Sequence, residues 1–181
     1  MDSSHSAQTA DDNIKMSGAT CCNITITGQD RTSRLGRSLG HILGPGDLLL
    51  LSGDLGAGKT TLTKGIAAGI GIDEGEISSP SFSIIHQYPL PGSHGLFVHA
   101  DLYRLGEPDI VETGLEELIN QSNIVVVEWG NILYDSGHDL LEIRISYDET
   151  CDSGCENVRH FSFHGKGDWP KRLREAGLHE T

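Results

Sequence analysis

Residues 53–61 read G-D-L-G-A-G-K-T-T and match the pattern G-x-x-x-x-G-K-[ST] at every fixed position. The glycines of this loop let the backbone bend tightly and bring its N–H groups up to phosphate oxygens. They are Gly53, Gly56 and Gly58. Lys59 is placed to reach the β- and γ-phosphates, and the hydroxyl of Thr60 is placed to bind Mg²⁺. The loop, called the P-loop below, therefore predicts a site for a nucleoside triphosphate.

The segments on either side of the P-loop are those that the motif requires. Residues 47–52 form a short apolar run after the turn 44–46, which predicts a buried parallel strand. After the loop, Leu62, Ile66 and Ile70 recur every four residues, as on one face of an amphipathic helix that ends near Gly71. The helix would add the positive end of its dipole to the phosphate site.

Two acidic residues end other apolar strands. Asp101 follows the run 96–100, and Glu128 follows the run 124–127. Either acid alone is as readily the first exposed residue of a loop, but two of them beside a P-loop favour a role with Mg²⁺ and the attacking water. Trp129 either shelters the nucleotide or packs in the core, and the sequence leaves both open.

Three other polar features near these strands have simpler interpretations. Arg104 fits a surface salt bridge better than a phosphate contact. The hydroxyl of Ser81 follows a rigid Ser-Pro step, so the loop 73–81 would sense the γ-phosphate as a switch. His86, His94 and His99 have no ligand spacing with any cysteine and are interpreted as strand and loop residues.

The remaining pattern predicts an α/β fold, a mixed sheet flanked by helices, with the site at the carboxyl ends of the strands. Residues 1–22 are polar and are predicted to be a disordered extension, and 23–165 are predicted to form one domain. The domain would begin with a strand at 23–27 and a helix from about Asp30 to the turn at 44–46. Its other elements would be a hairpin of 82–88 with 96–101, short helices within 108–119, and one-sided strands at 141–147 and 159–164 as a terminal antiparallel pair. Residues 166–181 would form a closing helix, with Asp168 as its N-cap, and a tail.

Composition narrows the classes of function. Thirteen Lys and Arg residues against 26 Asp and Glu give a formal net charge of −13, which disfavours direct binding to a nucleic-acid backbone. No apolar stretch reaches the roughly 20 residues of a membrane span. The first 22 residues have neither a secretory nor a transit pattern, so a cytoplasmic protein is expected.

The spacing of Cys151 and Cys155 matches a zinc site only weakly, and a turn between strands is the preferred interpretation.

Four motifs together resemble the TsaE (YjeE) family of ATPases. They are the P-loop, S-P-S-F at 79–82, D-L-Y-R-L at 101–105 and V-E-W at 127–129, in the order and spacing of that family. The resemblance covers about residues 23–165. The chain departs from it where Ser81 replaces the usual threonine, and the N-terminal extension and the loop of Cys151 and Cys155 have no family counterpart.

The resemblance implies a small bacterial cytoplasmic ATPase that uses ATP and Mg²⁺. Such a protein is needed for the threonylcarbamoyl modification of the tRNA adenosine next to the anticodon. In that family the TsaD–TsaB pair carries out the transfer, and the ATPase docks on the pair and resets it between turnovers. Contact with tRNA would be only indirect, through the complex, and neither DNA nor a membrane would be a partner.

The resemblance also assigns roles to residues of this chain. Phosphate binding falls on Gly56, Ala57, Gly58, Lys59, Thr60 and Thr61. Mg²⁺ binding falls on Thr60 and Glu128, Asp101 is an acid required for hydrolysis, and Trp129 lies beside the nucleotide. The first helix of the family borders the adenine, which points to Gln29 and Thr32.

Two other classes of function share a P-loop. A small-molecule kinase, the alternative, would need an acceptor pocket and usually an arginine-bearing lid. The arginines that follow the P-loop helix do not cluster as a lid: they are Arg104, Arg144, Arg159, Arg172 and Arg174. A GTPase switch ranks third, because the chain has no Asn-Lys-x-Asp segment and no Asp-x-x-Gly after an apolar strand.

Overall fold

A computed structural model describes residues 19–80, 83–105, 111–130, 133, 139–147 and 158–178. The strands are β1 Ala19–Thr27, β2 Leu48–Ser52, β3 Ile85–Pro89, β4 Leu96–Asp101, β5 Ile124–Glu128, β6 Leu140–Tyr147 and β7 Val158–Gly165. The helices are α1 Gln29–Gly40, α2 Lys59–Ile70, α3 Leu115–Leu118 and α4 Trp169–Glu175. None of these helices has the length and apolar character that crossing a bilayer requires.

The seven strands form one mixed sheet in the order β1-β7-β6-β2-β5-β4-β3. The four inner strands β6, β2, β5 and β4 run parallel to one another. Antiparallel strands complete the sheet, with β3 on one side and with β7 and then β1 on the other. Because β2 and β5 are buried on both faces, they read in the sequence as continuous apolar runs. The α/β mixed sheet is confirmed.

Two hydrophobic layers cover the sheet. On one face, Leu49 and Leu51 of β2 pack with side chains of α1, α2 and α4. On the other face, Leu48 and Leu50 pack with Leu115 of α3. Alternate residues of β2 therefore serve opposite layers, as the twofold repeat of a strand requires.

Several predicted boundaries are corrected. Strand β1 begins at Ala19 rather than at 23, and it pairs with β7 from that residue onward; residues 1–18, predicted to be disordered, lie outside the described residues. Helix α1 ends at Gly40, before the predicted turn at 44–46. Strand β3 begins at Ile85 rather than 82, because Ile84 has a φ of 67° and turns the chain there. Residues 81–82 are not among the described ones.

The last two strands of the described chain, β6 and β7, form the predicted antiparallel pair, but they are not one-sided. β6 and β7 are antiparallel, yet β1 pairs with the outer side of β7 and forms the edge of the sheet. Glu142 of β6, predicted to face solvent, is fully buried and accepts a 2.6 Å hydrogen bond from Nε of Arg144. Asp168 does precede α4 as its N-cap residue, although its side chain makes no capping hydrogen bond.

Helices α1 and α2 are in backbone contact. A Cβ added at Gly36 of α1 would lie 2.5 Å from the carbonyl oxygen of Leu62 and 2.8 Å from the Cα of Gly65. One turn later, a Cβ at Gly40 would lie 2.3 Å from the carbonyl oxygen of Ile66. Because these glycines lack a side chain, α1 packs closely against α2. The start of α1 therefore lies next to the P-loop, which directly precedes α2.

Replacing Gly36 by alanine is expected to lower the free energy of unfolding by about 1–3 kcal/mol, the usual cost of overpacking. The contact atoms are backbone and cannot rotate away. Gly44→Ala is the matched control, since no atom lies within 4 Å of its added Cβ, and it is expected to change stability by at most about 0.5 kcal/mol. Urea unfolding measures both, and equal stabilities would contradict the close helix contact.

Candidate functional site

The P-loop lies between the end of β2 and the start of α2, at the carboxyl edge of the parallel strands. Gly53, Gly56 and Gly58 have φ values of 139°, 81° and 108°, which residues with a Cβ rarely adopt. At Gly53 an added Cβ would also lie 2.2 Å from the carbonyl oxygen of Ile145. The backbone bend predicted from the glycines is therefore present, and helix α2 begins directly after it.

Lys59, the first residue of α2, folds its side chain back over the loop. Its Nζ donates to the carbonyl oxygens of Gly53 and Asp54 at 2.6 and 2.9 Å. It also lies 4.0 Å from the ring centroid of Trp129. Burial lowers the pKa of Lys59, and the negative charges of Glu128, Asp101 and Asp54 oppose that shift. The ammonium group is thus a partly desolvated donor next to three carboxylates.

Thr60 and Glu128 are joined directly. The Thr60 hydroxyl donates to Oε1 of Glu128 at 2.9 Å, which connects the first turn of α2 to the end of β5. Nε2 of His99, inside β4, lies 2.9 Å from the same oxygen. Glu128 and His99 are both buried. The sequence analysis considered His99 only as a metal ligand paired with a cysteine, and it did not predict this contact. The signal that could have indicated it is the position of His99 two residues before Asp101, which places both side chains on one face of β4.

Asp101 lies beside Glu128 on the neighbouring parallel strand, where the two residues are in register. Its Oδ1 accepts a hydrogen bond from the backbone N–H of Tyr103 at 3.1 Å. Its Oδ2 accepts one from the hydroxyl of Ser79 at 3.5 Å. The two acids predicted from the sequence therefore stand side by side at the same edge of the sheet.

Trp129 turns sharply out of β5 with a φ of 62°. Its backbone N–H donates to the carbonyl oxygen of Leu51 at 2.9 Å, and the centroid of its ring lies 4.9 Å from that of the Tyr103 ring. The side chain is half-buried and faces Lys59. The ring lies beside the P-loop and also packs against the hydrophobic layer that contains Leu115, so the structure is compatible with both interpretations left open by the sequence.

A cavity of about 510 Å³ opens between the P-loop and these residues. Its lining includes Gly56, Gly58, Lys59, Thr60, Thr61, Asp101, Glu128 and Trp129. Arg104 and Ser79 also line it. Gly53 is not part of this lining, but its carbonyl oxygen accepts a hydrogen bond from Lys59, which is. Ser81, Cys151 and Cys155 lie outside the described residues.

A second cavity of about 200 Å³ lies on the other side of the P-loop. Its lining includes Gln29, Thr32, Ala57, Thr61 and Arg159. Gln29 donates to the hydroxyl of Thr61 at 3.3 Å, and Nε of Arg159 donates to the carbonyl oxygen of Ala57 at 3.1 Å. The start of α1, expected to border the base of a nucleotide, therefore adjoins the P-loop.

The oxygens at the floor of the larger cavity suit Mg²⁺. This ion prefers oxygen ligands and is usually held by one or two protein groups together with phosphates and water. The hydroxyl of Thr60 and the carboxylate of Glu128 lie next to each other there. Among the described residues, no group of three or more His, Cys, Asp or Glu side chains could hold a metal by itself. The donor set fits a cation that is shared with a phosphate ligand.

The sequence model described as "Threonylcarbamoyl adenosine biosynthesis protein TsaE" matches residues 26–155. The chain belongs to the TsaE family. A TsaE protein of Streptomyces coelicolor is 39% identical over 137 residues, which cover 74% of this chain and 90% of that protein. A TsaE protein of Bacillus subtilis is 45% identical over 89 residues, or 49% of this chain and 54% of that protein.

A solved structure has the same fold. The crystal structure of Bacillus subtilis YdiB superposes with a TM-score of 0.63 at 27% identity, covering 86% of this chain and 93% of that one. The resemblance found from four short motifs is thus confirmed, and with it the P-loop α/β fold. Membership of the TsaE family associates the chain with the biosynthesis of threonylcarbamoyladenosine in tRNA.

Trp129→Gly is expected to be more stable than Trp129→Ala by about 1 kcal/mol. Both changes remove the ring, but only glycine relieves the left-handed backbone, which costs a residue with a Cβ about 1–2 kcal/mol. Trp169, the first residue of α4, is the control: its φ is not positive, so there alanine is expected to be the more stable replacement. Thermal unfolding of the four variants tests this, and a more stable alanine variant at position 129 would contradict it.

Proposed function

We propose that the protein is a Mg²⁺-dependent ATPase that supports threonylcarbamoylation of the tRNA adenosine next to the anticodon. It would do so by docking on the TsaD–TsaB transferase complex and resetting it between turnovers. The observation that carries this proposal is one cavity that brings together Lys59, Thr60, Asp101 and Glu128 in a chain of the TsaE family.

The P-loop residues bind and orient the triphosphate. The loop presents backbone N–H groups to phosphate oxygens, and the positive end of the α2 dipole adds to their attraction. Nζ of Lys59 exchanges its bonds to the carbonyl oxygens of Gly53 and Asp54 for bonds to phosphate. The triphosphate then compensates the partial desolvation that lowers the pKa of Lys59 in the protein alone.

Thr60 and Glu128 are the residues that would hold Mg²⁺. When bound, the ion neutralises charge that develops on the phosphates during transfer. Because the Thr60 hydroxyl donates its hydrogen bond to Glu128, the lone pairs of its oxygen remain available to a metal ion. Glu128 lies beside it either as a direct ligand or as the acceptor for a bound water.

Asp101 orients the attacking water. Its carboxylate is held by the backbone of Tyr103 and by Ser79, and it stands beside Glu128 at the cavity. An acid so fixed accepts a hydrogen bond from a water and directs its oxygen toward the phosphorus atom. An acid in this position serves hydrolysis without a pocket for a second substrate.

The rim of the cavity supports docking of a protein partner. Leu55 of the P-loop and Tyr103 are large apolar side chains that are 75% and 54% exposed, and both line the mouth of the site. A partner that covers this rim would bury them and exclude water from the nucleotide. The net charge of −13 is consistent with indirect contact to tRNA through that partner.

Lys59→Ala is expected to weaken the binding of a non-hydrolysable ATP analogue with Mg²⁺ by at least about tenfold. Hydrogen bonds to charged groups contribute about 1.5–3 kcal/mol each, and the change removes the side-chain donor that the proposal assigns to the phosphates. Lys64→Ala, on the same helix but outside the cavity lining, should bind as wild type does. Calorimetric titration measures both, and wild-type affinity of the Lys59 variant with its fold intact would refute its phosphate role.

Complex formation with TsaD and TsaB is expected to require ATP. Mixing the purified proteins should give a complex with ATP but not without nucleotide, and Lys59→Ala should abolish it while Lys64→Ala should not. Hydrolysis by the protein alone should be slow, since the arginines that follow the P-loop helix in the sequence do not cluster as a lid. Size-exclusion chromatography measures complex formation, and a phosphate-release assay measures the rate of hydrolysis. Nucleotide-independent binding, or turnover of the isolated protein at kinase-like rates of ~1–100 s⁻¹, would contradict the proposal.

A further inference from the structure

His99 is a buried polar residue within an otherwise apolar strand. It has no exposed surface and lies inside β4, between Val98 and Ala100 of the core. Its Nε2 is 2.9 Å from Oε1 of Glu128, across to the neighbouring strand β5. Burying an imidazole costs solvation free energy that burying an apolar side chain does not. The presence of a histidine at this position therefore needs an explanation, and its contact with Glu128 offers one.

The hydrogen bond defines which nitrogen carries the proton. A carboxylate only accepts hydrogen bonds, so Nε2 of His99 is the donor to Glu128. The other ring nitrogen, Nδ1, is buried and has no hydrogen-bond partner in the described part of the chain. A hydrogen on Nδ1 would therefore be a buried donor without an acceptor, and the ring is held as the Nε2–H tautomer.

Both hydrogen bonds to the Glu128 side chain converge on one oxygen. Oε1 accepts from Thr60 on the α2 side and from His99 on the β4 side. Within the described residues, Oε2 takes no hydrogen bond, and the carboxylate lines the cavity. The two donors thus fix the rotation of the carboxylate and leave its second oxygen for whatever the cavity holds.

We propose that His99 is a positioning residue for the metal-binding pair: it fixes the Glu128 carboxylate so that Thr60 keeps its hydroxyl oxygen directed at Mg²⁺. This inference rests on the proposed nucleotide site. His99 is not among the residues that line the cavity, so it would act through Glu128. Outer partners of metal ligands commonly change metal affinity by about 10–100-fold when removed.

The test compares His99→Leu, which cannot donate, with His99→Gln, whose amide nitrogen can donate in place of Nε2. A fluorescent, non-hydrolysable ATP analogue is titrated with Mg²⁺ and each variant. We expect His99→Leu to raise the Mg²⁺ concentration for half-maximal tightening by about tenfold. His99→Gln should remain within about threefold of wild type, and Mg²⁺-free binding should be unchanged in both.

A double-variant comparison separates positioning from packing. In a Glu128→Ala background, His99→Leu should add no further change in Mg²⁺ dependence, since the side chain through which His99 acts is absent. The inference would be overturned if His99→Leu raised the Mg²⁺ concentration for half-maximal tightening tenfold whether or not residue 128 is also replaced. It would also be overturned if His99→Leu and His99→Gln raised that concentration equally. If leucine prevents folding, His99→Asn serves instead, because its amide is one methylene shorter and does not reach Glu128.

The wild-type titration distinguishes the two proposals. If Mg²⁺ does not tighten nucleotide binding to the wild-type protein, the proposed function fails and this inference falls with it. If wild type responds to Mg²⁺ and His99→Leu responds identically, only the role of His99 is overturned. Thermal unfolding of each variant confirms that the compared proteins are folded.

Discussion

One oxygen of the buried Glu128 carboxylate accepts hydrogen bonds from two other elements of the fold. Thr60 donates from the first turn of α2, and His99 donates from within β4. Hydrogen bonds offset part of the solvation free energy that a buried carboxylate loses, so these two bonds also help to hold the P-loop helix and strands β4 and β5 in their relative positions. The glycines that join α1 to α2 extend the same constraint to the first helix.

Backbone strain is concentrated around the same cavity. Among the described residues, the non-glycine positions with a positive φ are Ile84 and Trp129, and both line it. Each such position costs about 1–3 kcal/mol and persists only where the surroundings enforce it. At Trp129 the turn places an aromatic ring against the ammonium group of Lys59. The fold thus retains an unfavourable conformation where it shapes the proposed nucleotide site.

The parts of the site that were predictable follow from local rules. The P-loop has a fixed spacing, and a parallel sheet places the ends of apolar strands at one edge, which brings Asp101 and Glu128 together. The role of His99 was missed, because it depends on how β4 aligns with β5 and α2, and no local pattern encodes that alignment. Glu142 was misplaced for a similar reason: its strand alternates like a surface strand, but Arg144 and the flanking β7 bury it.

A crystal structure with a non-hydrolysable ATP analogue and Mg²⁺ tests the central claim, that the Glu128 carboxylate and the P-loop form one site for metal and triphosphate. The phosphates should lie against the P-loop, with Nζ of Lys59 moved from the carbonyl oxygens of Gly53 and Asp54 to phosphate oxygens. Mg²⁺ should lie on the Thr60 hydroxyl next to Glu128, and the bond from His99 should persist. Nucleotide bound away from the P-loop, or Mg²⁺ bound far from Thr60 and Glu128, would contradict it.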